Sequence, residues 1–277
     1  MLKINPDLPI EPEVLAVLGH VQAAAAAVGS QYLLIGAKAI DIQLHNVHGL
    51  PAYRPTRDAD FAVALESWEQ FEALKSALAA TGLFKSDPRR AQRLEYTGGF
   101  PVDLVPFGGL ESPRGTIAWP PDASQVMTVM GFAEINSAAE EISVPGRPLP
   151  LRAASLPGLA VLKVFAWNDR YEPRDAHDLA ALLQNYHHVA GDERLYREEA
   201  LLKSMEYDMA KAGAALLGKD AAAILGTTAL SAARAILTGG KKDSLTAGIA
   251  AGLAAVDPDS RISAAETLLA AFLSAFR

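Results

Sequence analysis

The stretch RPTRDADFAV, Arg54 to Val63, sets two carboxylates one residue apart at the mouth of a hydrophobic run. An unpaired buried charge is costly, so acids leading into a core strand call for a partner. Successive side chains of a strand face opposite ways, so extended backbone from Asp58 to Leu65 points Asp58 and Asp60 to one side. Their Cα atoms then lie roughly 6–7 Å apart, at about 3.3 Å rise per residue. Phe61, Val63 and Leu65 take the other face and enter the core. In a helix the same two carboxylates diverge by about 200°, so only the strand makes them a pair. Two carboxylates on one face repel unless a cation neutralises them. Magnesium suits the arrangement, because it binds through one or two carboxylates plus substrate phosphates.

Taken alone, Asp-x-Asp more often ends a turn than holds a metal; Asp257-Pro-Asp259 has the same spacing and reads as a turn. A third acid strengthens the first pair. FPVDLVP, Phe100 to Pro106, isolates Asp103 between Val102 and Leu104, and an acid inside an apolar strand needs a partner. If that strand lies beside the first, Asp58, Asp60 and Asp103 converge as a two-metal constellation for phosphoryl transfer. Upstream, LLIGAK (Leu33 to Lys38) reads as strand, tight turn and helix start. Backbone N–H groups at such a turn suit a triphosphate, with Lys38 either touching phosphate or solvated.

Working outward, Glu11 to Val28 reads as a helix ended near Gly29, Tyr32 to Ile35 as a buried strand, and Ala37 to His45 as helical. The strand from Asp60 to Leu65 leads into a helix with a capping box, Ser67 as N-cap with Gln70 three residues on, and Gly82 past its end. Arg93 to Thr97 and Phe100 to Pro106 are further extended pieces. Glu111 to Pro150 reads as loops with one or two extra strands. Beyond Leu151, two helices (Pro157 to Arg170 and Arg174 to Tyr186) precede alanine-rich helical segments, with turns at Thr238-Gly-Gly240 and Asp257-Pro258. The expected fold is α+β: a small mixed sheet flanked by helices in residues 1–150, and a mainly helical region in 151–277 that completes the active site.

The bulk properties fit. At 277 residues with 50% hydrophobic content, the chain has room for a substantial core. A net charge of −7 argues against a generally basic, nucleic-acid-coating surface. With no cysteine there are no disulfides or thiolate metal sites. No signal peptide and no apolar run of about 18 residues is evident, so a cytoplasmic protein, not bound to membrane, is expected.

Gly36-Ala37 on a turn, Thr56-Arg57-Asp58-Ala59-Asp60 and an isolated Asp103 resemble the DNA polymerase β-like nucleotidyltransferase superfamily. More narrowly, the chain resembles the AbiEii/AbiGii-type nucleotidyltransferases, the toxins of bacterial toxin–antitoxin pairs. Lys163, Trp167-Asn-Asp-Arg170 and Arg174-Asp175-Ala-His-Asp178 follow that family's order, and VDLVPFGG and IAWPP are similar to its stretches. The resemblance spans about Tyr32 to Tyr186. It implies a Mg²⁺-dependent transfer of a nucleoside monophosphate from an NTP to a hydroxyl acceptor, RNA or a tRNA end, countered by a cognate antitoxin. It implies Asp58, Asp60 and Asp103 as metal ligands, with Asp103 also helping to deprotonate the acceptor. Lys163 would neutralise the triphosphate, Asp175 or Asp178 would orient it, and Gly36, Ala37, Lys38, Arg57 and Arg170 would line the nucleotide. One departure is Ala37, where many members of the superfamily carry a serine that binds phosphate.

Each residue has a plainer reading beside it. Lys163 could snorkel from an amphipathic helix, and Asp175 sits where an acid suits the helix dipole. Phe165 and Trp167 read as core, and His45, His48 and His177 as structural. Arg89, Arg90 and Arg93 are the best local candidates for an RNA-contacting patch. The rival functions are transfer to a small molecule or protein side chain, which the acidic charge favours slightly, and non-catalytic nucleotide binding, which Ala37 alone supports.

Overall fold

The computed structural model describes residues 1–52, 54–112, 115–253 and 256–276. The chain divides into two compact units, Met1–Ser155 and Leu156–Arg277.

The first unit runs β1 (Leu2–Lys3), α1 (Pro12–Ala27), β2 (Tyr32–Ile35), α2 (Gly36–Asp41), a π-helical turn (Ile42–Val47), β3 (Ala59–Leu65), α3 (Trp68–Ala79), β4 (Phe84–Ser86), β5 (Arg93–Tyr96), β6 (Phe100–Gly108), β7 (Thr116–Ala118), β8 (Val126–Thr128), α4 (Phe132–Ser137), β9 (Glu140–Ser143) and β10 (Leu151–Ala153). An eight-stranded mixed sheet has the order β1-β9-β10-β2-β3-β6-β5-β4, with β7 and β8 paired separately. The mixed sheet is thus larger than the sequence suggested. Strands such as β1, β4 and β10 span two or three residues and show no periodicity to read. The stretch from Glu111 to Pro150 holds β7, β8, β9 and α4 among its described residues, more than the one or two strands expected; Pro113 and Arg114 lie outside those residues.

The central strands follow from their composition. All four residues of β2 are buried, as suits an apolar strand covered on both faces. In β3, Phe61, Val63 and Leu65 are buried while Asp60 is half-buried; in β6, Val102 and Leu104 are buried around a half-buried Asp103. Strand β3 pairs antiparallel with β2 and parallel with β6, and β6 pairs antiparallel with β5. Asp58 lies one residue ahead of β3, outside its ladder. Ser67 caps α3 as expected, its Oγ accepting the Gln70 N–H at 3.3 Å, while the Gln70 side chain reaches one residue past the N-cap, its Oε1 accepting the Glu66 N–H at 2.9 Å.

The second unit is helical: α5 (Leu156–Arg170), α6 (Pro173–Arg197), α7 (Glu199–Ser204), α8 (Met209–Ile224), α9 (Thr227–Thr238), α10 (Lys242–Gly252), a 3₁₀ turn (Pro258–Ser260) and α11 (Arg261–Leu273). Gly191, with φ 74°, kinks α6. Small residues let these helices approach closely. A Cβ on Gly218 of α8 would lie 2.1 Å from the Phe272 carbonyl oxygen, and one on Gly252 would lie 2.8 Å from the His177 Cα. The alanine and glycine content of this region is therefore a packing feature. Asp257, read as a turn residue, caps the 3₁₀ turn by accepting the Asp259 N–H. Among the described residues no helix is long and apolar enough to cross a membrane.

Candidate active site

Register builds the acidic site. Across the sheet Ile35 of β2 faces Asp60 of β3, Asp60 faces Asp103 of β6, and Asp103 faces Arg93 of β5. Asp60 and Asp103 are therefore direct neighbours on adjacent strands, and both escape the apolar face that holds Phe61 and Leu104. Gly36 starts the turn after β2 with φ 72°, and a Cβ there would lie 2.0 Å from Asp60 Oδ2. Only glycine combines that backbone with that space. The turn thus makes room for a carboxylate, a requirement that the sequence reading had not attached to Gly36.

Arg93 is the residue sequence reasoning misplaced. Its Nε donates to Asp103 Oδ1 at 2.7 Å and its terminal nitrogen to Oδ2 at 2.6 Å, with the arginine side chain 19% and the aspartate 15% exposed. Read from sequence as part of a surface patch with Arg89 and Arg90, it turns inward, while those two stay exposed. A signal for this was available. Thr97-Gly98-Gly99 is a hairpin loop whose two glycines have positive φ, and closing β5 on β6 there sets Arg93 opposite Asp103. The hydrogen bonds to Asp103, and then the charges of Asp103, Asp58 and Asp60, hold the Arg93 guanidinium above its ordinary pKa against the opposing effect of burial.

A divalent cation such as magnesium needs hard oxygen donors. Asp58 and Asp60 carry such donors, and the Asp60 carboxylate fills the space that a side chain at position 36 would take. Arg93 engages both oxygens of Asp103, so a cation drawing on this acid would have to share them with the guanidinium. Among the described residues no group of three or more His, Cys, Asp or Glu side chains is placed to hold a metal.

The neighbouring residues divide. Lys38 is neither solvated nor extended: it is 2% exposed, with Nζ 3.6 Å from Asp41 and 3.7 Å from Glu11. Burial raises the Asp41 carboxyl above its ordinary range despite Lys38 beside it. Lys38 lines a cavity of about 310 Å³ with Glu13, Thr56, the exposed Arg57, Gly98 and Phe100. The buried Thr56 Oγ1 has no hydrogen-bond partner among the described residues. Ala37 is buried and brings no hydroxyl; Ser30, upstream, donates to the Ala64 carbonyl at 2.6 Å.

The second unit assembles a charged cluster of its own. Helix α5 is buried on nearly every side, so Lys163 has no polar face from which to snorkel and needs an internal anion. Its Nζ lies 2.6 Å from Asp178 Oδ2 and 3.3 Å from Asp175 Oδ1. One helical turn separates the two acids on α6, which gives them a shared face. Arg170, two turns after Lys163, donates to both oxygens of Asp175 at 2.6 Å. Both aspartates are fully buried, the Lys163 side chain is 8% exposed and that of Arg170 is 43% exposed. Both acids, not one of the two, contact the lysine. Phe165 and Trp167 are buried, as expected of core residues.

A family model described as "Nucleotidyl transferase AbiEii toxin, Type IV TA system" matches residues 23–243, most of the chain. No curated protein matches it. The solution structure of the antibiotic-resistance factor ANT(2'')-Ia is similar at 16% identity and a TM-score of 0.38, covering 72% of this chain and 95% of that one. The crystal structure of ANT(2'')-Ia with adenylyl-2''-tobramycin has 16% identity and a TM-score of 0.39, with coverages of 69% and 97%. A crystal structure of an antigenic nucleotidyltransferase-like protein from Paracoccidioides brasiliensis has 13% identity and a TM-score of 0.42, with coverages of 74% and 94%.

Proposed function

We propose a reaction for this chain, which belongs to the AbiEii family of nucleotidyltransferase toxins: a nucleoside monophosphate passes from an NTP to a hydroxyl of RNA, a tRNA end in particular, in a Mg²⁺-dependent step. The chain is a nucleotidyltransferase, and membership in a type IV toxin–antitoxin family implies a nucleotide substrate and an antitoxin partner. The acceptor, the metal and the individual residue roles are our reading.

In this reading Asp58 and Asp60 would hold a cation, which would neutralise phosphate charge. Gly36 leaves the space beside it to the Asp60 carboxylate, the turn of Gly36 and Ala37 offers backbone N–H groups to the nucleotide, and the exposed Arg57 adds positive charge to the cavity it lines with Lys38. The acceptor hydroxyl attacks the α-phosphate in line, pyrophosphate leaves, and the work of the residues is positioning and charge. Asp103 takes the hydroxyl proton once Arg93 gives up one of its oxygens. In the second unit Asp175 and Asp178 fix Lys163 and Arg170 in place, a cluster whose cations suit phosphate. The exposed Arg89 and Arg90, on the hairpin that carries Arg93, favour a polyanionic acceptor.

The observation that carries the reading is the row Asp60–Asp103–Arg93 across three adjacent strands, with Gly36 making room at its end. Incubation with total RNA and each labelled NTP in magnesium tests it. Label is expected in a tRNA-sized band and should fall by at least about a hundred-fold in Asp60→Ala. Label in no RNA species with any NTP would overturn the acceptor assignment; transfer undiminished in Asp60→Ala would overturn the site.

A further inference from the structure

Arg93 belongs to no part of the motif by which the family resemblance is drawn, yet it is locked onto the third acid of the site. Two features make the contact more than a surface ion pair. The partners face each other in β-sheet register, so the backbone sets their meeting. The pair is also bidentate, Nε to Oδ1 and the terminal nitrogen to Oδ2, using the guanidinium fork and both carboxylate oxygens at once. Three carboxylates of one neighbourhood act electrostatically on this one cation, since Asp58 and Asp60 stabilise its charge as well as Asp103.

A divalent ion drawing on Asp103 would have to take an oxygen that Arg93 already holds, and would bring positive charge against the guanidinium. We propose that Arg93 competes with a divalent cation for Asp103, so that the nucleotide-free protein keeps Asp103 out of the metal's coordination shell. The inference rests on the cation-binding reading of Asp58 and Asp60. It makes Arg93 a positioning residue: it acts through Asp103, and its release leaves a guanidinium free to meet the negative charge a triphosphate brings. No covalent bond changes in the exchange; one cation replaces another at a carboxylate.

Manganese serves as the probe, with its binding to the full, nucleotide-free chain followed by electron paramagnetic resonance and titration calorimetry. Arg93→Gln is expected to bind Mn²⁺ about ten-fold more tightly than the wild type. Arg93→Lys, which keeps the charge and loses the fork, should fall between them, and adding Asp103→Asn to Arg93→Gln should erase the gain. Circular dichroism confirms that each variant is folded; should Arg93→Gln fail there, Arg93→Lys carries the comparison. Binding in the arginine variants equal to or weaker than wild type, with Asp60→Ala still weakening it, would overturn the competition and leave the cation site standing. If neither the wild type nor any variant binds Mn²⁺ at millimolar concentration, both readings fall together.

Discussion

In the first unit three carboxylates, Asp58, Asp60 and Asp103, share the field of Arg93, whereas in the second Asp175 and Asp178 meet Lys163 and Arg170 in equal number. The acids of the first set are half-buried, and those of the second have no exposure at all. The contrast separates two uses of charge. A buried set must be neutral in itself, because desolvation penalises any surplus. A half-exposed set is under no such constraint, because water screens its charges. The second cluster is therefore held by mutual neutralisation, and the first stays open to solvent.

Three substitutions in addition to those at Asp60 and Arg93 sharpen that contrast. Asp178→Ala leaves Lys163 buried with only the longer 3.3 Å contact to Asp175, and is expected to destabilise the chain by about 3–5 kcal/mol in urea titrations. A loss below about 1 kcal/mol would mean the second cluster is not held by mutual neutralisation. Gly36→Ala strains a backbone at φ 72° and drives a methyl into the Asp60 carboxylate, so a loss of about 1–3 kcal/mol is expected. A larger proportional fall in nucleotidyl transfer should accompany it, because the carboxylate itself is displaced; melting temperature and label incorporation on one preparation compare the two. The smallest effect concerns Tyr186, whose hydroxyl donates to Asp220 Oδ2 at 2.6 Å beside Arg194. Burial, and then Asp220, raise this phenol above its ordinary value of 10.0. Its contribution is therefore complete below about pH 10 and is lost as the pH rises through the higher folded value. Tyr186→Phe should cost about 1 kcal/mol near neutral pH and flatten the alkaline fall, as denaturation at two pH values would reveal.

Much of this was legible in the sequence, and the reasons are local. Period-two alternation in DFAVAL and FPVDLVP announced strands with an acid on one face, and Ser67 with Gln70 announced the start of α3. Lys163, Arg170, Asp175 and Asp178 stood at helical spacings that could meet, and the structure brings them together. What stayed hidden depended on pairing, whether across a short hairpin or between segments far apart. Whether Asp103 meets a metal or an arginine is decided by the register of β5 on β6, which no single strand records. Lys38 looked solvated because its partner Glu11 is far away in sequence, at the start of α1. The two-residue β1 and three-residue β10 have no pattern of their own and exist because a neighbour offers an edge.

The parallel pairing of β3 with β6 also governs when the row of acids can form as the chain is made. Asp60 and Asp103 are about forty residues apart in the chain and meet only when their strands are zipped in one register; a slip of one position would put Val102 or Leu104 beside Asp60 instead. A chain still emerging from the ribosome with β6 inside the exit tunnel has the first acids and lacks the third. On the proposed reading the row of acids is thus incomplete during the earlier part of the chain's synthesis.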